Sequence, residues 1–357
     1  MSHPAALPSH PPRWALVVAF ALVYTAWGTT FLAIQNGVRS LPPGLFAGVR
    51  VTLAGLVLLG FVTLRGGNLR LPRGEWRWVV LVGTLMFVGG NGLLNFAEKS
   101  VPSGAAAVLA TTMPLWVALL ETLWPRGERL TGLGWMGLAL GSTGVLILLG
   151  PRLEHPQELF EDIGPLLVLG SAFCWAIGSF TLRHRRPKGE HLTTAAYHMI
   201  LGGSAMTVIG LLMGEASRLT PESFTPAAVA SFFYLLVVGS LVGFLTYTWL
   251  LRHVSTTLVG THAYVNPVVA LVVGALIAGE TITERIIAGM LIIFAGVALV
   301  RASSHAHGRG TTADTLVPGG PAVPTPSSPG ANARLACPRR NSSLPDRPHE
   351  RDFEKNR

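Results

Sequence analysis

The chain repeats itself. Ala110 to Pro114 reads ATTMP, followed by GERLT at 127–131, Gly137 and Gly144-Val145; AYVNP at 263–267, GETIT at 279–283, Gly289 and Gly296-Val297 restate that order. Pro114 and Pro267 are 153 residues apart, and the Gly-Glu pairs and later glycines 152 apart. Ser100-Val101 pairs with His253-Val254, and Trp27 with Trp175 at a spacing of 148. A period of about 150 residues is too long for a solenoid. The chain is therefore two related halves, about 13–151 and 163–301, and its fold must be built from a pair of similar units.

What those units are made of follows from hydropathy. Half of the 357 residues are hydrophobic, 13% are charged and the mean hydropathy is +0.48, a composition of polytopic membrane proteins. Runs long enough to cross about 30 Å of hydrocarbon fall at 15–34, 43–64, 79–97, 101–124, 133–150, 163–182, 193–213, 229–251, 256–279 and 284–300. The first resembles a signal sequence in isolation, but nine more follow, so it reads as a span. Five spans per half is an odd number, so the second half enters the bilayer upside down relative to the first. The expected fold is an all-α membrane protein, ten transmembrane helices in two inverted five-helix repeats.

Loop charge sets the expected orientation. With a cytoplasmic N-terminal segment, 1–12, the inner segments hold thirteen Arg and Lys and the outer ones five, which puts both termini inside. The acidic stretch around 152–162 is an extracytoplasmic linker. From 302 to 357 the chain is Pro-, Ser-, Gly- and Arg-rich without apolar periodicity, and reads as a disordered cytoplasmic tail. The formal charge of +9 is not arranged as a basic face interleaved with aromatics, so nucleic acid is not an expected partner. Cys174 in an apolar run and Cys337 in the tail form neither a disulfide framework nor a metal site.

Polar residues inside the spans are the candidates for function. Pro114 and Pro267 fall near the middle of the fourth and ninth spans, and each deprives the carbonyl four residues earlier, Ala110 or Ala263, of its helical partner. In hydrocarbon such a break needs protein, hydroxyls or water around it. Thr111, Thr112, Tyr264 and Asn266 lie beside the two breaks, at the depth where inverted-repeat transporters bind substrate. The alternative is a pair of kinks filled by neighbouring helices. Arg50, seven residues into the second span, either snorkels to the outer face or turns into a cavity, where its fork suits a carboxylate or phosphate. His198, its counterpart, and His262 are protonatable donors or packed histidines. Asn91 and Asn95, one turn apart, and Tyr247 line the same space or join helices. Trp27 and Trp175 head WGTTF and WAIGS, as cavity wall or as packing. Gly137 with Gly141, Gly210 with Gly214, and Gly239 with Gly243 read as helix packing or homodimer contact.

Glu98 and Glu121 fall at span ends, leaving no Asp or Glu at mid-depth, which disfavours a proton-driven pump for cationic drugs. No nucleotide-binding loop, HExxH helix or nucleophile elbow occurs, so neither ATP-driven transport nor membrane hydrolysis is expected, and no metal or other cofactor.

WG in the first span, PPGLFAGVR at 42–50, GNGLLNFAE at 90–98, VPSGAAAV at 101–108, AYVNPVVA at 263–270 and the two GE-x-x-T elements resemble the EamA family of the drug/metabolite transporter superfamily. Within it they are most similar to the YedA-like bacterial inner-membrane permeases. The resemblance spans 14–301. It implies two inverted five-helix halves, with spans one to four and six to nine around a central cavity and spans five and ten apart as a supporting or dimerising pair. It also implies substrates ranging from amino acids to sugars and other metabolites. The resulting expectation is a secondary transporter, moving a small polar or amphipathic metabolite such as an amino acid outward through the lipid bilayer. A drug-efflux permease and a non-transporting sensor or scaffold are the alternatives.

Overall fold

The computed structural model describes residues 11–125, 129–154, 161–185, 189–254, 259 and 261–313. It is built of helices. In chain order they are α1 (Arg13–Val38), α2 (Pro43–Leu64), α3 (Trp76–Gly83, Thr84–Gly92 and Leu93–Ala97 in one run), α4 (Ser103–Ala110 and Met113–Leu123), and α5 (Gly132–Glu154). There follow α6 (Gly164–Arg185), α7 (His191–Leu212), α8 (Pro226–Tyr234, Leu235–Val242 and Gly243–His253), α9 (His262–Ala278) and α10 (Glu284–Ala313). Among the described residues, nine of these are long and apolar enough to cross a membrane and α9 is shorter. The residues just before α9, 255–258 and 260, lie outside the described ones, as does most of the 152–162 linker. α10 runs on to Ala313, twelve residues into the segment expected to be disordered; 314–357 lie outside the described residues.

Hydrogen bonds between the turns define two ends. At one end the α1–α2 turn meets the α7–α8 turn, through Ser40 and Thr225 (3.4 Å) and through Glu215. Ser100 of the α3–α4 turn bonds Asp162 before α6 (2.6 Å), and Ser103 N–H donates to Glu280 of the α9–α10 turn (2.8 Å). Gln35 near the end of α1 donates to the Val101 carbonyl, which joins these groups. At the other end Asn68 of the α2–α3 turn pairs with Glu190 before α7, and Thr131 before α5 pairs with Ser303 in α10. α1 thus runs toward the first end and α6 away from it.

Glycines let two helix pairs pass in backbone contact. A Cβ at Gly48 of α2 would stand 2.5 Å from Thr207 N and 2.9 Å from the Gly203 carbonyl of α7. On the α5–α10 pair, a Cβ at Gly137 or Gly144 would meet the Gly296 or Gly289 carbonyl at 2.6 or 2.9 Å, and one at Gly296 the Gly141 N at 2.5 Å. Small-residue faces read in the sequence as packing or homodimer contact therefore meet helices of the same chain. Gly239 and Gly243 face α1 through Thr30 and Trp27, whereas Gly214 makes a turn at φ +72°.

A buried carboxylate fixes the start of α2. The first N–H groups of a helix lack intrahelical acceptors, and Pro43 has no N–H to satisfy. Gly44 N–H and Leu45 N–H donate to Glu215 at 3.1 and 2.8 Å, and Glu215 is only 1% exposed. Removing it leaves two buried donors unpaired, at about 1–3 kcal/mol each. Glu215→Ala should therefore lower the thermal unfolding midpoint in detergent by several degrees while Glu222→Ala, on an exposed neighbour, leaves it unmoved. Equal midpoints for the two variants would remove Glu215 from the folding argument.

Candidate functional site

α3 and α8 each widen into a π-helical segment, at Thr84–Gly92 and at Leu235–Val242. A π-turn inserts a residue and loosens the carbonyl ladder, and such turns concentrate at functional sites. Val88-Gly89-Gly90 recurs as Val238-Gly239-Ser240, so the two widenings occupy matching places in the two halves.

Arg50 bridges them. It stands seven residues, about 10 Å, into α2 and is 3% exposed, turned into the protein and not toward the surface. Its guanidinium donates to Asn91 Oδ1 on the α3 π-segment at 2.9 Å and to Ser240 Oγ on the α8 π-segment at 3.4 Å. Asn95, wholly buried, donates from Nδ2 to the Asn91 carbonyl (2.8 Å) and to Asn91 Oδ1 (3.1 Å). Arginine carries five N–H donors, and Nε here has no partner although it is buried. A desolvated cation with donors to spare suits a planar anion.

An aromatic group shares a wall with this cluster. Trp27 on α1 donates its indole N–H to the Gly239 carbonyl at 3.1 Å, one residue from Ser240. Tyr247 and His262 stand at 5.1 Å from the Trp27 ring, and at 5.7 Å from each other. His262 Nδ1 lies 2.9 Å from the Val259 carbonyl, which only accepts, so the proton is on Nδ1 and Nε2 is the acceptor. Asn266, one turn along α9, has a buried Oδ1 without a partner. The other half answers with a similar contact: Trp175 on α6 packs on Gly90 and Phe87, and Ser171 Oγ donates to the Gly90 carbonyl at 2.5 Å.

Other sequence candidates lie elsewhere. Thr111 and Thr112 hydroxyls turn back on the Val108 and Leu109 carbonyls at 2.5 and 2.8 Å, satisfying acceptors where α4 breaks. Pro114 then sits in the first turn of the second piece, where no N–H is needed, while Pro267 stays inside an unbroken α9. Tyr264 packs on Phe294 of α10 with the Arg301 guanidinium over its ring. His198 lines a cleft of about 10 Å³, room for one water, with Glu75, Trp78, Thr181, Arg185 and Thr194. Residues the sequence reading passed over are Ser240, whose only signal was its match to Gly90, and Glu98, taken as a span-end residue yet 1% exposed.

Comparison with known proteins bears on what this arrangement serves. The sequence model of the EamA-like transporter family matches residues 13–150 and again 162–302. The chain belongs to the EamA-like transporter family. The "Uncharacterized inner membrane transporter YedA" of Escherichia coli K12 is 36% identical over 268 residues, covering 74% of this chain and 83% of that protein. A "Probable amino-acid metabolite efflux pump" of Salmonella typhimurium LT2 is 27% identical over 282 residues, 77% of this chain and 91% of the pump. A solved crystal structure 21% identical to this chain superposes with a TM-score of 0.56, over 83% of this chain and 99% of its own. That the family matches twice accounts for the repeat. As a family member with nine long apolar helices and a shorter tenth among the described residues, the chain is a multi-pass membrane transporter.

Proposed function

We propose that this transporter exports amino acids or closely related amphipathic metabolites across the bacterial inner membrane. It works by alternating access between two inverted five-helix halves, with both termini in the cytoplasm. The bridge from Arg50 to the π-segments of α3 and α8 is the observation that carries this reading, because one buried cation ties both halves together at widened turns. A substrate carboxylate fits the Arg50 fork, an apolar side chain fits the Trp27, Tyr247 and His262 rings, and the open Asn266 Oδ1 accepts from an ammonium group. Arg50 and Asn95 are sealed from water in this packing, so binding requires one half to rock against the other. The name of the Salmonella relative supports the substrate class, and that of YedA the membrane.

Counterflow into proteoliposomes tests the reading. Vesicles preloaded with unlabelled leucine, threonine or phenylalanine should take up the labelled form of at least one of them faster than protein-free vesicles. Absence of exchange for every amino acid, together with protection of cells against cationic drugs, would transfer the assignment to drug efflux. Loss of a cellular phenotype on deleting residues 314–357, with no flux at all, would favour a sensor or scaffold.

A further inference from the structure

Three glutamates are buried among the described residues, and two of them, Glu121 and Glu215, are held by visible partners, as is the half-buried Glu280. Glu215 accepts two N–H groups at the start of α2, and Glu280 accepts Ser103 N–H and Gly104 N–H at 2.8 and 3.0 Å at the start of α4. Glu121 lies 3.4 Å from Arg183 and 3.5 Å from His184. Glu98, at the end of α3, is as buried as Glu215, but neither of its oxygens makes a hydrogen bond. The backbone of Gln35 on α1 faces it without reaching bonding geometry.

Charged groups around it come from every side. Arg50 of α2 is committed to Asn91 and Ser240. Glu280 of the α9–α10 turn adds a second negative charge. Asp162 before α6 is held by Ser100 Oγ and Gly164 N–H, and Arg39 of α1 is bonded to Gln35 Oε1 at 3.2 Å. Lys99, next in the chain, is exposed. An anion stripped of water and left unpaired is not sustained, and a carboxyl so placed takes up a proton. Glu98 stands one residue beyond the third span, and there burial, then Glu280, push its carboxyl well above the ordinary range against the opposing pull of the Gln35 backbone and of Arg50. One turn back on the same face, Asn95 Oδ1 is buried and also unpartnered, an acceptor suited to a carboxylic O–H.

We propose that Glu98 is a proton-binding site of the transporter, neutral in the packing seen here and ionised when its pocket opens. The proton arrives from water at the open pocket, binds a Glu98 oxygen, and leaves to water at the next opening. While neutral, Glu98 leaves Arg50 to the substrate. Once ionised, it competes with substrate for the guanidinium, so the anionic group is held more tightly while Glu98 is protonated. Coupling presupposes the carrier cycle proposed above; protonation of Glu98 does not.

Two measurements on the full chain in lipid separate these statements. Infrared spectra at neutral pH should show the carbonyl stretch of a protonated carboxylic acid that disappears in Glu98→Gln and in Glu98→Met, the second variant guarding against misfolding of the first. An unchanged band in both variants overturns the proton site. Leucine counterflow by the native chain should rise several-fold from mildly alkaline to mildly acid medium, and in Glu98→Gln should lose that dependence while exchange continues. A native-like pH profile in Glu98→Gln overturns the coupling. If the native chain exchanges no amino acid but the band is lost in the variants, the proton site stands and the substrate assignment falls.

Discussion

Arg50→Ala should reduce amino-acid counterflow by about a hundredfold, and Arg50→Lys should recover only a small part of it. A hydrogen bond to a charged group is worth about 1.5–3 kcal/mol. Loss of the guanidinium removes its contacts to a bound carboxylate, and about 3 kcal/mol corresponds to two decades of affinity. Lysine keeps the charge but not the fork that meets two oxygens at once. The folded chain should survive the alanine, because Asn91 Oδ1 retains the Asn95 amide at 3.1 Å when the guanidinium is gone. Arg39→Ala, which removes a cation bonded only to Gln35 in the described contacts, serves as the matched control and should leave flux unchanged. Counterflow normalised to folded protein, with thermal unfolding as the check on folding, reads both numbers. Flux by Arg50→Ala within twofold of the native rate would take Arg50 out of the substrate path.

The helices were legible because hydrocarbon demands long apolar runs, and among the described residues nine of the ten expected spans are matched by helices of spanning length. The widened turns were not, because a π-turn changes the period of a helix and a uniformly apolar segment shows no period to change. Only the paired Val-Gly-Gly and Val-Gly-Ser triplets marked them. The two prolines look equivalent in sequence and differ in the fold for a local reason. ATTMP carries two threonine hydroxyls that bond the Val108 and Leu109 carbonyls where α4 breaks, whereas AYVNP has no serine or threonine before its proline and α9 continues. Asn91 and Asn95, one turn apart, share a face as their spacing indicates, whereas nothing in the sequence tied them to Arg50 on α2. Thr111, Thr112 and Tyr264 were drawn instead to backbone carbonyls and to α10. Glu98 does stand at a span end, as its position indicates, yet that end is buried. Here the end is covered by α1 and by the turn that carries Glu280, neither of which sequence position reveals.

Gly296→Val and Gly48→Val make the same steric demand and should have different consequences. At Gly296 a Cβ would stand 2.5 Å from Gly141 N and 2.6 Å from the Gly137 carbonyl, and at Gly48 2.5 Å from Thr207 N. The obstructing atoms are backbone, so no rotamer relieves them and the helices must move apart. Overpacking of this kind costs about 1–3 kcal/mol, occasionally more. Both variants should lower the unfolding midpoint by several degrees, while Gly60→Val, where nothing lies within 4 Å, should not. Flux per folded molecule should separate the first two. Gly48 lies two residues from Arg50 on α2, so moving α2 against α7 displaces the guanidinium relative to Asn91 and Ser240, and exchange should fall tenfold or more, about 1.4 kcal/mol. No described hydrogen bond joins the α5–α10 pair to Arg50, Asn91, Asn95 or Ser240, so Gly296→Val should keep exchange near the native rate once folded. Equal flux losses in both variants would mean that α5 and α10 move with the cycle, and the division into a working bundle and a supporting pair would have to be abandoned.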